Sequence, residues 1–221
     1  MTRALFERQL AEVQEDMLVM ASMVENAVNQ SIEALRLRDV ALARRIIEND
    51  VEINKRRYEC EDKCIELISL QAPLASDLRT LISVLHITVD LERMGDHAEG
   101  IARIALMLSD EPPIRPLVDI PRMAEMAIEM LHGSVEAYKA RDTKRAREII
   151  QMDDRVDELY EQVYHELIMN MVGDPTTIQR CTYLIWVAHN LERIADRATN
   201  ICERVVYLVE GHIQDLNVSK Y

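Results

Sequence analysis

The sequence predicts an all-α protein: six helices forming two tandem antiparallel three-helix bundles. Three observations predict it. Five Gly, six Pro and 4% aromatic residues in 221 leave little of the punctuation that hairpins require. Apolar residues recur at alternating spacings of three and four, the signature of a helix burying one stripe. SIEALRLRDVALARRIIEND (Ser31 to Asp50) matches SVEAYKARDTKRAREIIQMD (Ser134 to Asp153) at an offset of 103, so one unit of roughly a hundred residues occurs twice. With 48% hydrophobic residues, the chain can bury an ordinary core.

Helices are expected near 5–37, 40–70, 77–108, 120–140, 143–171 and 175–211. Asp39 and Asp142 follow one helical run in each unit and suit N-caps of the next. Ser76 is expected to cap the third helix, and Asp174-Pro175 to open the sixth. The third helix carries the seam Val84, Ile87, Leu91, Met94, Ala98, Ile101, Ala105 and Leu108; Leu184, Val187, Leu191, Ile194, Ala198, Ile201, Val205 and Leu208 repeat it. SDEPPIRPLVDIP (Ser109 to Pro121) holds four prolines and cannot continue a helix. The expected organisation is a first bundle over 1–108, a Pro-rich linker over 109–119 and a second bundle over 120–221.

A formal charge of −13 repels a phosphate backbone, so no nucleic-acid partner is expected. Charged residues from Glu7 onward break any signal-peptide core, and the longest uncharged runs, Thr80 to Val89 and Cys181 to Leu191, are too short to span a bilayer. The expectation is a soluble, cytoplasmic protein without direct membrane insertion. Cys60, Cys64, Cys181 and Cys202 read as free thiols, Cys181 and Cys202 lying about six turns apart on one helix. No nucleotide, dinucleotide or hydrolase motif occurs. A ferritin-like redox site lacks support because the only Glu-x-x-His pair, Glu129/His132, points away from the core and is Asn26/Asn29 in the first unit. No enzymatic activity is expected.

The informative pair is DLERMGD and NLERIAD, where Glu92/Asp96 and Glu192/Asp196 place two acids four apart, at positions separated by one hundred. Like charges at this spacing repel by a few tenths of a kcal/mol. Arginines or a cation should compensate them. Both pairs lie opposite the apolar seam, so they are expected to face outward or toward a neighbouring helix. A second repeated set, Asp50/Asn54 and Asp153/Asp157, flanks the seam of the preceding helix in each unit. If those helices are neighbours, hard oxygen ligands converge as Mg²⁺, Ca²⁺ or Mn²⁺ would use, and iron or zinc would accept them. Asn200 offers an amide oxygen one turn beyond Asp196, and His97 is the one histidine worth testing as an auxiliary ligand. The metal-ligand candidates are Glu92, Asp96, Glu192 and Asp196, followed by Asn200, Asp50, Asp153 and Asp157. The competing reading is a metal-independent helical scaffold whose acidic faces bind basic partner surfaces.

Together these features resemble the PhoU family of phosphate-signalling proteins. DLERMGD and NLERIAD stand where that family has its doubled acidic signature, RATNICERVVYLVEG continues the second copy through Gly211, and Glu111 to Met126 resembles its inter-repeat segment. The resemblance implies a six-helix, often dimeric protein with metal ions at the motif faces. It further implies a cytoplasmic negative regulator of phosphate uptake and the phosphate-starvation response, coupling the phosphate-specific ABC transporter ATPase to a PhoR-type sensor histidine kinase. Glu99-Gly100 departs from the family pattern that Asn200 keeps, which predicts two unequal metal sites.

Overall fold

A computed structural model of the chain describes residues 3–114, 119–212 and 216. Among them the regular structure is helical, without strands. The first unit comprises α1 (Arg3–Leu37), α2 (Val40–Gln71) and α3 (Ala75–Met107). The second comprises α4 (Asp119–Ala140), α5 (Thr143–Ile150), α6 (Asp153–Gly173) and α7 (Ile178–Glu210). Of the expected linker, residues 115–118 lie outside the described residues.

The two αα turns repeat closely. Arg38 and Arg141 take left-handed φ values of 57° and 52°, and each hands the chain to an aspartate cap. Asp39 accepts the Leu42 amide at 2.9 Å, and Asp142 accepts the Arg145 amide at 3.0 Å.

Elsewhere the boundaries differ from expectation. The fifth predicted helix is broken at Gln151 and Met152, where the Met152 amide bonds Ile149 O at 2.9 Å and the Arg155 amide bonds Met152 O at 3.1 Å. These i→i−3 bonds tighten one turn without Gly or Pro, so residue type did not announce the break. Ser76 is not a cap: α3 begins at Ala75 without a side-chain cap, and the Ser76 carbonyl accepts the Thr80 hydroxyl. Asp174 caps a 3₁₀ turn, Pro175–Thr177, that leads into α7.

Helices α1, α2 and α3 pack together, α4 packs with α5, α6 and α7, and α3 packs against α7 between the two groups. Asp90 meets Asn200, His97 meets Asn190, and Arg79 lies beside Gly211, so α3 and α7 run antiparallel. Both predicted seams are buried throughout, and one apolar core runs through both units. Methionines Met17, Met20, Met123 and Met130 fill the α1 and α4 side of that core.

All four cysteines are free and buried. Burial pushes the thiols of Cys60 up to about 11 and Cys64 up to about 12, which disfavours the thiolates a zinc half-site would need. No helix among the described residues is long and apolar enough to cross a membrane.

Candidate functional site

The packing of α2 on α3 and of α6 on α7 brings the two acidic sets together in each unit. In the first, Asp50 on α2 lies within electrostatic reach of Glu92, Asp96 and Glu99 on α3. Its carboxyl is held above the ordinary range, first by burial and then by Asp96, Glu99 and Glu92, against a hydrogen bond from Asn54. Gly95 permits this approach: a Cβ there would stand 3.3 Å from Ile53 and 3.4 Å from Asp50 Oδ1.

Glu92 does not face outward. It is only 8% exposed, because α3 is flanked by α1, α2 and α7, which leaves it little free perimeter. Arginines answer the charge. Arg57 Nη1 lies 3.6 Å and Arg93 Nε 3.5 Å from the Glu92 carboxylate, and Arg93 Nη1 also donates to Asp96 at 3.1 Å. Glu99 is engaged by Arg103, whose Nε donates at 2.7 Å.

The second unit is built differently. Asp153 and Asp157 on α6 lie within electrostatic reach of Glu192 on α7, as does Asp196. Arg193 Nη1 donates to Asp196 at 2.9 Å, and no arginine or lysine pairs with Glu192 among the described residues. His189 Nδ1 lies 3.3 Å from Glu192 Oε2 without hydrogen-bond geometry, leaving that buried oxygen unsatisfied. Glu192 is pushed up to about 7, chiefly by burial and then by Asp196, with Arg193 opposing and Asp157 and Asp153 adding to the rise. Asp196 is also raised by burial, with Arg193 and Arg197 opposing.

Two further sequence candidates lie at the contact of α3 with α7. Asn200 faces α3, its Nδ2 donating to Asp90 at 3.0 Å beside an Arg197–Asp90 ion pair of 3.4 Å. His97 faces α7, its Nδ1 lying 2.8 Å from Asn190 Oδ1. Sequence reading missed Arg57, Tyr160 and His189. His189 could have been found from its position three residues before Glu192, and the other two from aligning α2 with α6, which sets Arg57 opposite Tyr160.

Among the described residues, no three His, Cys, Asp or Glu side chains are arranged to hold a metal ion. In the first unit the carboxylates are turned to arginines. In the second, Asp153, Asp157 and Asp196 stand around a Glu192 that no arginine or lysine pairs with among the described residues, and Glu192 Oε2, like Glu92 Oε2 in the first unit, is buried without a hydrogen bond.

The PhoU domain model matches residues 17–105 and 120–205, one copy in each unit. The chain is 42% identical over 206 residues to a phosphate-specific transport system accessory protein PhoU homolog of Aquifex aeolicus, covering 93% of each chain. A homolog of the same description from Clostridium acetobutylicum is 38% identical, with 98% of this chain and 100% of the relative covered. The fold is similar to the crystal structure of PhoU from Pseudomonas aeruginosa (TM-score 0.91, 35% identity, 94% of this chain and 100% of that one). It is also similar to the phosphate transport system regulatory protein PhoU from Streptococcus pneumoniae (TM-score 0.89, 32% identity, 95% and 99% covered). With a doubled domain match, relatives aligned along nearly their whole length and the acidic motif in both units, the chain belongs to the PhoU family.

Proposed function

We propose that this chain is a cytoplasmic accessory protein of a phosphate-specific transport system. In this reading it restrains phosphate uptake and the starvation response when phosphate is plentiful. It does so by contact with the transporter ATPase and a PhoR-type sensor kinase, acts as a homodimer and performs no catalysis. The observation carrying this reading is similarity over 93% of both chains to an accessory protein of such a system.

Metal binding is part of the proposal, and the second unit is its favoured seat. Glu192 and Asp196, with Asp153 and Asp157, would hold iron, manganese, zinc or magnesium, and the ion would supply the positive charge that Glu192 lacks. Glu92, Asp96 and Asp50 would form a weaker first site because Arg57 and Arg93 already stand on it. Asn200 would serve through its Oδ1, since the bond to Asp90 uses only its Nδ2. The metal-independent scaffold retains one supporting observation, the arginine compensation of the first set.

The test is complementation of a host lacking its own copy, read with a phosphate-starvation reporter. Wild type is expected to restore repression in high phosphate and to purify with stoichiometric metal, which Glu192→Gln/Asp196→Asn loses. A reporter that stays derepressed at normal protein level refutes the regulatory reading. Repression restored by a metal-free protein favours the scaffold.

A further inference from the structure

Beside the first carboxylate set, α1, α2 and α3 leave a cavity of about 290 Å³. Met23, Ala27 and Ile53 form its apolar wall, and Asn26, Gln30, Asn49, Asp50 and Glu52 its polar mouth. Ligand pockets commonly span about 300–1,000 Å³, so this space suits a small molecule.

The duplicated unit shows that the fold does not require this space. Met130 stands where the first unit has Ala27, Met152 replaces Asn49, and Ala195 replaces Gly95. Met130 and Ala195 are fully buried, and Met152 packs on the core. Gly133 replaces Gln30, and Ile149 comes within 2.9 Å of the position its Cβ would take, so α4 and α5 close together there. The first unit keeps the smaller residues and surrounds the opening with hydrogen-bonding groups.

Those groups select a class of ligand. The lining carries two carboxylates and three amides but no Lys, Arg or His. Asn54 donates to Asp50 Oδ2 at 2.7 Å, while Oδ1 is turned toward Gly95 at the cavity wall. Glu92, Asp96 and Glu99 lie within electrostatic reach behind Asp50. An anion would be repelled, and the apolar wall offers nothing to a hydrated metal ion. An ammonium group on a short methylene stem satisfies both halves of the lining.

We propose that this cavity binds a small aliphatic amine of the diamine or polyamine class, its ammonium held by Asp50 and the amide oxygens, its stem lying along Met23, Ala27 and Ile53. The site is independent of the metal reading, although a metal on Asp50 would compete with the amine.

The test is calorimetric titration of the full chain, in EDTA, with putrescine and cadaverine, and with succinate as the anionic control. One amine per chain is expected, with no heat from succinate. Ala27→Met, which installs the residue of the second unit, and Asp50→Asn should each weaken binding by about tenfold or more, while Glu136→Gln, at an exposed carboxylate of α4, leaves it unchanged. Absence of saturable binding by either amine overturns the proposal. So does an affinity that stays within about threefold in both variants, the mark of diffuse counterion attraction. If Ala27→Met does not fold, as judged by circular dichroism, Asp50→Asn decides alone. Because metal is removed throughout, failure here leaves the metal reading standing, and failure of that reading leaves this one.

Discussion

The two acidic sets sit on equivalent helices of a duplicated fold, and they solve the same electrostatic problem in different ways. In the first, Arg57 reaches from α2 to the buried Glu92, Arg93 spans Glu92 and Asp96, and the position equivalent to Asp157 is the neutral Asn54. In the second, Tyr160 occupies the place of Arg57, Asp157 adds a fourth carboxylate, and among the described residues Glu192 has no arginine partner. A shared carboxylate motif therefore does not make two equal sites. The residue on the neighbouring helix decides whether the protein itself supplies the compensating charge.

The severest trial of this comparison is Arg57→Tyr, which gives the first set the side chain of the second. Breaking a buried ion pair by removing one partner costs about 3–5 kcal/mol. Arg57 stands 3.6 Å from Glu92 without a hydrogen bond, donates from Nη2 to Glu61 at 2.9 Å and keeps 21% of its side chain exposed, so we expect a loss of about 2–3 kcal/mol, shared between the two carboxylates, in urea unfolding at pH 8 without metal. A loss no greater than that of Glu61→Gln, which removes the other carboxylate Arg57 meets, would mean that Arg57 is not what compensates Glu92, and the contrast between the units would fall.

The reciprocal change is smaller and opposite in sign. Glu192 is pushed up to about 7, so between the ordinary carboxyl range and pH 7 the folded state holds a proton that the unfolded state has released. That contribution to stability is present at low pH and is lost as pH rises through about 7. Glu192→Gln should therefore match wild type near pH 4 and exceed it at pH 8 in EDTA. Discounted for solvent screening of a half-buried group, the gain is about 1–2 kcal/mol, or roughly 2–8 °C in Tm. His97, whose ionisation burial holds below its ordinary range, contributes in the opposite sense but cancels in the difference at each pH. A variant no more stable than wild type at pH 8 would indicate that the second set is already compensated.

The sequence carried the duplication, both seams and the pairing of Asp50 with Glu92 and Asp153 with Glu192, because periodicity and alignment are properties of one chain read in order. It did not carry the burial of Glu92. A helical wheel assigns one buried stripe, whereas α3 is covered by α1, α2 and α7, which leaves even its opposite side little contact with solvent. The same blindness to partners across α3 and α7 hid the contacts of Asn200 and His97, whose Nδ2 and Nδ1 meet Asp90 and Asn190. The break at Gln151 and Met152 was hidden for another reason, since it uses tightened hydrogen bonds instead of a helix-breaking residue.

The smallest effect is expected where the units agree. Asp39→Ala and Asp142→Ala each remove a carboxylate that accepts one amide, from Leu42 and Arg145, and each follows an arginine held at positive φ. Loss of such a cap costs about 1 kcal/mol, a Tm decrease of roughly 2–4 °C in a chain of this size. Equal losses would confine the divergence of the two units to their acidic faces. Two differences separate the caps: Asp142 opens the short α5, only eight residues ahead of the break, whereas Asp39 opens the continuous α2. Because α5 has few residues over which to spread a frayed first turn, a markedly larger loss for Asp142→Ala would show the break reaching back to the αα turn. The comparison would then have to include the backbone that carries Asp153 as well as the side chains around Glu192.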